Sequence, residues 1–126
     1  MSDQCKCSCQ SGVTLIFACS GASDVGAISD RAARKLTADG AGKMYCLAGI
    51  GGRVNNIMVN AQAAARILAI DGCPLDCAKS TLEKADFKDF RHIRVTDLGM
   101  EKGKTPVIDD NIAKAASEAG KLLECG

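Results

Sequence analysis

Val13-Thr-Leu-Ile-Phe-Ala-Cys19, running into Ser20-Gly-Ala-Ser-Asp24, is the stretch on which the fold turns. A short, nearly continuous apolar run is the mark of a strand buried on both faces, as in a parallel sheet. It breaks at a turn of small residues in which Ser23 can cap a helix. The helix that follows carries Val25, Ile28, Ala32 and Leu36 on one face, with Arg31, Arg34 and Lys35 largely outside it. Asp39-Gly-Ala-Gly42 stops it.

The same unit recurs along the chain. Lys43-Met-Tyr-Cys-Leu-Ala48 reads as a second strand, closed by Gly49-Ile-Gly-Gly52, and Asn55 or Asn56 can cap a helix through Ile57, Ala61 and Ala64. Arg66-Ile-Leu-Ala-Ile70 could extend that helix; because it runs straight into the turn signal Asp71-Gly72, it is read as the third strand. Pro74 suits the first position of the next helix, continuing through Leu75, Ala78 and Leu82. Arg91-His-Ile-Arg-Val-Thr-Asp97 alternates like a half-buried edge strand, and a Gly- and Lys-containing loop from Gly99 to Pro106 leads to a last helix bearing Ile112, Ala115, Ala119 and Leu122. Four alternations of strand and helix predict a single-domain α/β fold: a four-stranded, mostly parallel sheet of order 2-1-3-4 with helices on both faces. Residues 1–12 fall outside the pattern and are expected to form a flexible, cysteine-containing arm ahead of the domain at 13–126.

Composition narrows the function classes. A chain of 126 residues buries about two-thirds of its unfolded surface and so has a core of its own, independent of any metal. A net charge of +1 with acids and bases interspersed, 3% aromatics and no Trp give no footprint for nucleic acid or an anionic membrane. No apolar stretch approaches the roughly 20 residues of a transmembrane helix. The polar, cysteine-bearing first dozen residues are not a secretory signal, so the expected compartment is the cytoplasm. Nothing here identifies a protein partner.

Eight cysteines in such a chain turn attention from disulfides to metal ligation or redox chemistry. In an open parallel sheet, ligands gather at the carboxyl ends of the strands. Cys19 ends the first strand, Cys46 lies near the end of the second, and Cys73 sits just beyond the third; in the order 2-1-3-4 those strands are adjacent. Cys77, four residues after Cys73, faces the same way if a helix starts at Pro74. Four thiolates at Cys19, Cys46, Cys73 and Cys77 suit tetrahedral zinc; an iron–sulfur cluster on the same ligands is a variant. A helix beginning at Pro74 would also lower the Cys73 thiol pKa. Asp71 is either an acceptor that orients the ligands or an ordinary turn aspartate before Gly72. A reading from another class makes Cys19 or Cys73 the reactive thiol of a redox or sulfur-transfer enzyme; it requires an accessible sulfur, whereas a closed zinc site protects all four.

Asp71-Gly72-Cys73-Pro74-Leu75-Asp76-Cys77 resembles the central motif of the DGC-domain family, regarded as zinc-binding. The resemblance extends to Cys19-Ser-Gly-Ala-Ser-Asp-Val-Gly26, Cys46-Leu-Ala-Gly-Ile-Gly-Gly52 and Val95-Thr-Asp-Leu-Gly99, covering nearly the whole chain from Val13. It implies four chelating cysteines, matching Cys19, Cys46, Cys73 and Cys77, and supplies no reaction. Cys19 and its small-residue loop are also similar to the phosphate loop of low-molecular-weight phosphatases, but Val25 stands where that chemistry needs arginine. Cys5-Lys-Cys-Ser-Cys9 is either a second metal or redox site or part of a solvated arm, and Cys125 reads as incidental. His92, the only histidine, is expected at the surface of the far edge strand.

Overall fold

The computed structural model describes residues 12–124; Cys5, Cys7 and Cys9 of the expected arm, and Cys125, lie outside them. The chain runs β1 (Thr14–Ala18), α1 (Asp24–Ala38), β2 (Lys43–Met44), α2 (Leu47–Gly51), α3 (Asn55–Gln62), β3 (Arg66–Asp71), α4 (Cys77–Lys84), β4 (Arg91–Arg94), a 3₁₀ turn (Val95–Leu98) and α5 (Asp109–Lys121). The strands form one sheet in the order β2-β1-β3-β4, with every neighbouring pair parallel. This is the predicted α/β architecture.

Side-chain alternation along β1 and β3 divides the core in two. Ile16, Ala18, Leu68 and Ile70 point to one face, where Val25, Ile28, Ala32 and Leu36 of α1 and Ile112, Ala115 and Ala119 of α5 cover them. Leu15, Phe17, Ile67 and Ala69 point to the other, against Ile50 of α2, Ala61 of α3, and Ala78 and Leu82 of α4. None of the four expected cysteine ligands is among the fully buried residues of either cluster. The hydrophobic drive to fold is thus supplied largely apart from them.

Four local expectations are corrected. The second strand ends at Met44; Cys46 opens α2 instead of closing a strand, accepting a hydrogen bond on its sulfur from the Gly49 N–H (3.3 Å). Gly49 and Gly51, expected in a turn, lie in α2, and Gly49 is a packing residue: a Cβ there would stand 2.6 Å from Ile57 Cγ1. The third long helix expected from Pro74 begins at Cys77. Asp76 has a left-handed φ of 55°, and its N–H donates to the Cys73 carbonyl (3.1 Å), so Cys73 to Asp76 is a turn. Proline's fixed φ suits the second position of such a turn as well as a helix start, and Leu75 is left 70% exposed. The fourth strand ends at Arg94, the expected Val95–Asp97 segment coiling into the 3₁₀ turn.

Candidate metal centre at the carboxyl edge of the sheet

The Cys19 segment is held on both sides. Its N–H donates to the Ile70 carbonyl (2.8 Å), continuing the β1–β3 ladder, and its carbonyl accepts from the buried Ser29 hydroxyl of α1. Ser23 caps α1 by accepting from the Gly26 N–H (3.0 Å). Cys46 sits across the β1–β2 edge, beside a cleft of about 780 Å³ lined by Ser20, Asp30, Arg34, Met44 and Thr81 among others.

Between β3 and α4 the chain makes a short loop that carries Cys73 and leads into Cys77, the first residue of α4. At its base is Asp71, fully buried, pointing to the α4 face. Its Oδ1 accepts from the Ala78 N–H (2.7 Å) and its Oδ2 from the Lys79 N–H (3.0 Å), satisfying two donors at the start of the helix that have no partner within it. His92 Nε2 donates to the same Oδ2 (2.8 Å). At the loop's tip, Asp76 receives the Arg94 guanidinium through two 2.6 Å bonds, from Nε and Nη2. That ion pair holds the Asp76 carboxyl below the usual range and the Arg94 guanidinium above its own. Gly72 lies between, against α1: a Cβ there would come within 2.7 Å of the Gly26 nitrogen. The loop that bears Cys73 and leads into Cys77 is therefore fixed at its base, middle and tip.

Asp71 is the buried anchor of the loop and of α4 together, more than an ordinary turn aspartate. His92 was misread: it lies on the far edge strand, yet its side chain is 18% exposed and reaches inward to Asp71. Its sequence position between alternating charges gave no sign of a buried acceptor on the neighbouring strand. Asp71, Asp76 and His92 have donor atoms within 4.8 Å of one another. Both Asp71 oxygens already accept N–H bonds and Asp76 is clasped by Arg94, so the trio is a positioning network.

Of the four cysteines, Cys19 and Cys73 are half-buried and Cys46 and Cys77 exposed. Loss of hydration pushes the Cys77 thiol up, and the neighbouring Cys19, Asp71 and Cys73 raise it further. Cys77 therefore lies beside both Cys19 and Cys73 at this edge of the sheet. Cys73 lies four residues ahead of α4, so the helix-start argument for its thiol does not hold. The sulfurs are not drawn together into a closed cluster: among the described residues, the trio above is the set of metal-type donors that lies within 4.8 Å.

Among the described residues, no helix is long and apolar enough to cross a membrane. No solved structure matches the chain. It is 35% identical over 88 residues to the anaerobic and virulence modulator AnvM of Pseudomonas aeruginosa, an overlap spanning 70% of this chain and 67% of that protein. The DGC domain model matches residues 15–119, from β1 through most of α5, and the chain belongs to the DGC domain family.

Proposed function

We propose that the protein binds a metal ion, zinc by preference, through the thiolates of Cys19, Cys46, Cys73 and Cys77. What supports this is the placing of Cys19, Cys46 and Cys73 just beyond the carboxyl ends of β1, β2 and β3, with Cys77 beside Cys19 and Cys73. Crowded thiols resist ionising together, and a dication removes that penalty. The donor set fits the metal: four sulfurs, with exposed Cys46 and Cys77 through which an ion can enter. In an all-thiolate set, zinc supplies a cross-link between chain segments. A metal-binding role also fits the family.

Metal analysis of protein purified without chelator tests it. Close to one zinc per chain is expected beyond any held by Cys5, Cys7 and Cys9, and Cys73→Ser empties the site because a neutral hydroxyl is a poor zinc ligand. Full zinc occupancy after replacing all four cysteines by serine overturns the assignment. Rapid alkylation of Cys19 or Cys73 in metal-loaded protein would favour the thiol-enzyme alternative.

A further inference from the structure

The loop between the 3₁₀ turn and α5 plays no part in the core strands, yet it is built with care. Asp24, in the first turn of α1, reaches across the molecule to hold it: Oδ1 accepts from the Gly103 N–H (2.9 Å) and Oδ2 from the Thr105 N–H (3.0 Å). Thr105, itself buried, closes the loop on itself, its hydroxyl accepting from the Glu101 N–H (2.8 Å) and donating to the Glu101 carbonyl (2.7 Å). Gly99 and Gly103 take left-handed φ values of 87° and 88°, which side-chain-bearing residues adopt reluctantly. These bonds hold a five-residue bend in one shape. At its tip is Lys102, with its Nζ 3.6 Å from the Cys73 Sγ.

We infer that Lys102 is a positioning residue for the metal centre: its ammonium, carried by the Asp24-anchored loop, donates to the Cys73 sulfur and offsets the charge of the thiolate set. The role rests on the four-thiolate reading above. Four thiolates around a dication are left net negative, and each sulfur keeps a lone pair open to electrophiles and competing metals. An ammonium within reach of one sulfur lowers both liabilities, because a hydrogen bond to a charged acceptor is stronger than a neutral one. Lys104, two residues on, is a built-in contrast. Its Nζ faces Glu101 instead (3.6 Å), so it adds the same charge to the loop without touching the centre.

The test compares zinc-loaded wild type with Lys102→Met, Lys102→Arg and Lys104→Met. The readouts are zinc transfer to a chromogenic chelator and, after cobalt substitution, the thiolate-to-metal charge-transfer bands. Lys102→Met is expected to speed transfer about tenfold, the low end of the effect of removing a partner of a metal ligand, and to shift the cobalt bands. Lys102→Arg should stay close to wild type and Lys104→Met should match it. Melting of the metal-free variants should be unchanged, which separates this role from general support of the fold. Equal transfer rates and spectra in wild type and Lys102→Met overturn the assignment of Lys102 while leaving the metal site standing. Equal effects of Lys102→Met and Lys104→Met reduce the contribution to net charge and overturn it as well. A wild type that holds no zinc overturns the metal-site reading, and this role with it.

Discussion

At the scale of single residues, Asp76 does two things at once: it bends the backbone into the left-handed region before α4, and it clasps Arg94. The ion pair depresses its folded-state pKa. Its contribution to stability is therefore present above the unfolded value, about 3.9 for aspartate, and is lost as pH falls through the lower folded value. Asn tolerates a left-handed φ, so Asp76→Asn removes the charge while sparing the bend. In metal-free protein, the urea midpoint of this variant should lie below wild type at pH 6, and the two should converge as pH falls through the lowered folded-state value. Parallel midpoints at every pH would mean that the Arg94 pair carries no stability. Asp24, also held below the ordinary range by the Gly103 and Thr105 N–H groups, adds to the same acid limb in both proteins.

Among the elements, two glycines of the family-like motifs look alike in sequence and differ in what surrounds them. Gly72 meets backbone: its missing Cβ would stand 2.7 Å from the Gly26 nitrogen and 2.8 Å from the Val25 carbonyl carbon. Gly49 meets the side chain of Ile57, which can move. Gly72→Ala is thus expected to destabilise by about 2–3 kcal/mol, as overpacking does. Gly49→Ala gains helix propensity of about 1 kcal/mol, which offsets much of its clash. Denaturant titration of the two variants checks the ordering, and equal losses would contradict it. The same pair marks what was legible beforehand. The strands could be read because long apolar runs such as Thr14–Ala18 need no partner to identify them, and the sheet order followed from the alternation. The α2 helix could not, since Gly49 looks like a turn residue until Ile57 is placed beside it. Nor could the β3–α4 loop: Pro74 fits a turn and a helix start equally, and the Arg94 clasp that decides between them comes from a strand 18 residues on in sequence. His92 was missed for a related reason, because the buried carboxylate it serves lies on another strand.

For the whole molecule, two apolar clusters whose fully buried members include none of the four cysteines set what metal removal can do. Structural zinc contributes about 10–16 kcal/mol in finger peptides that lack a core, but here both faces of the sheet are covered by helices. Chelation should lower the melting temperature markedly and leave helical circular dichroism largely intact, and a chain lacking residues 1–12 should behave in the same way. Complete unfolding on chelation at room temperature would contradict a core that stands on its own. The outline of the sheet carries one more consequence. Its outer strands are short, two residues in β2 and four in β4, and they present Lys43 on one side and Arg91 and Arg94 on the other. An unpaired strand edge is a template for adding another chain, and natural proteins blunt it with brevity and charge. The long apolar strands β1 and β3 are kept inside, each hydrogen-bonded on both sides, so the segments most prone to amyloid-like stacking are the ones a neighbouring molecule cannot reach without unfolding the protein first.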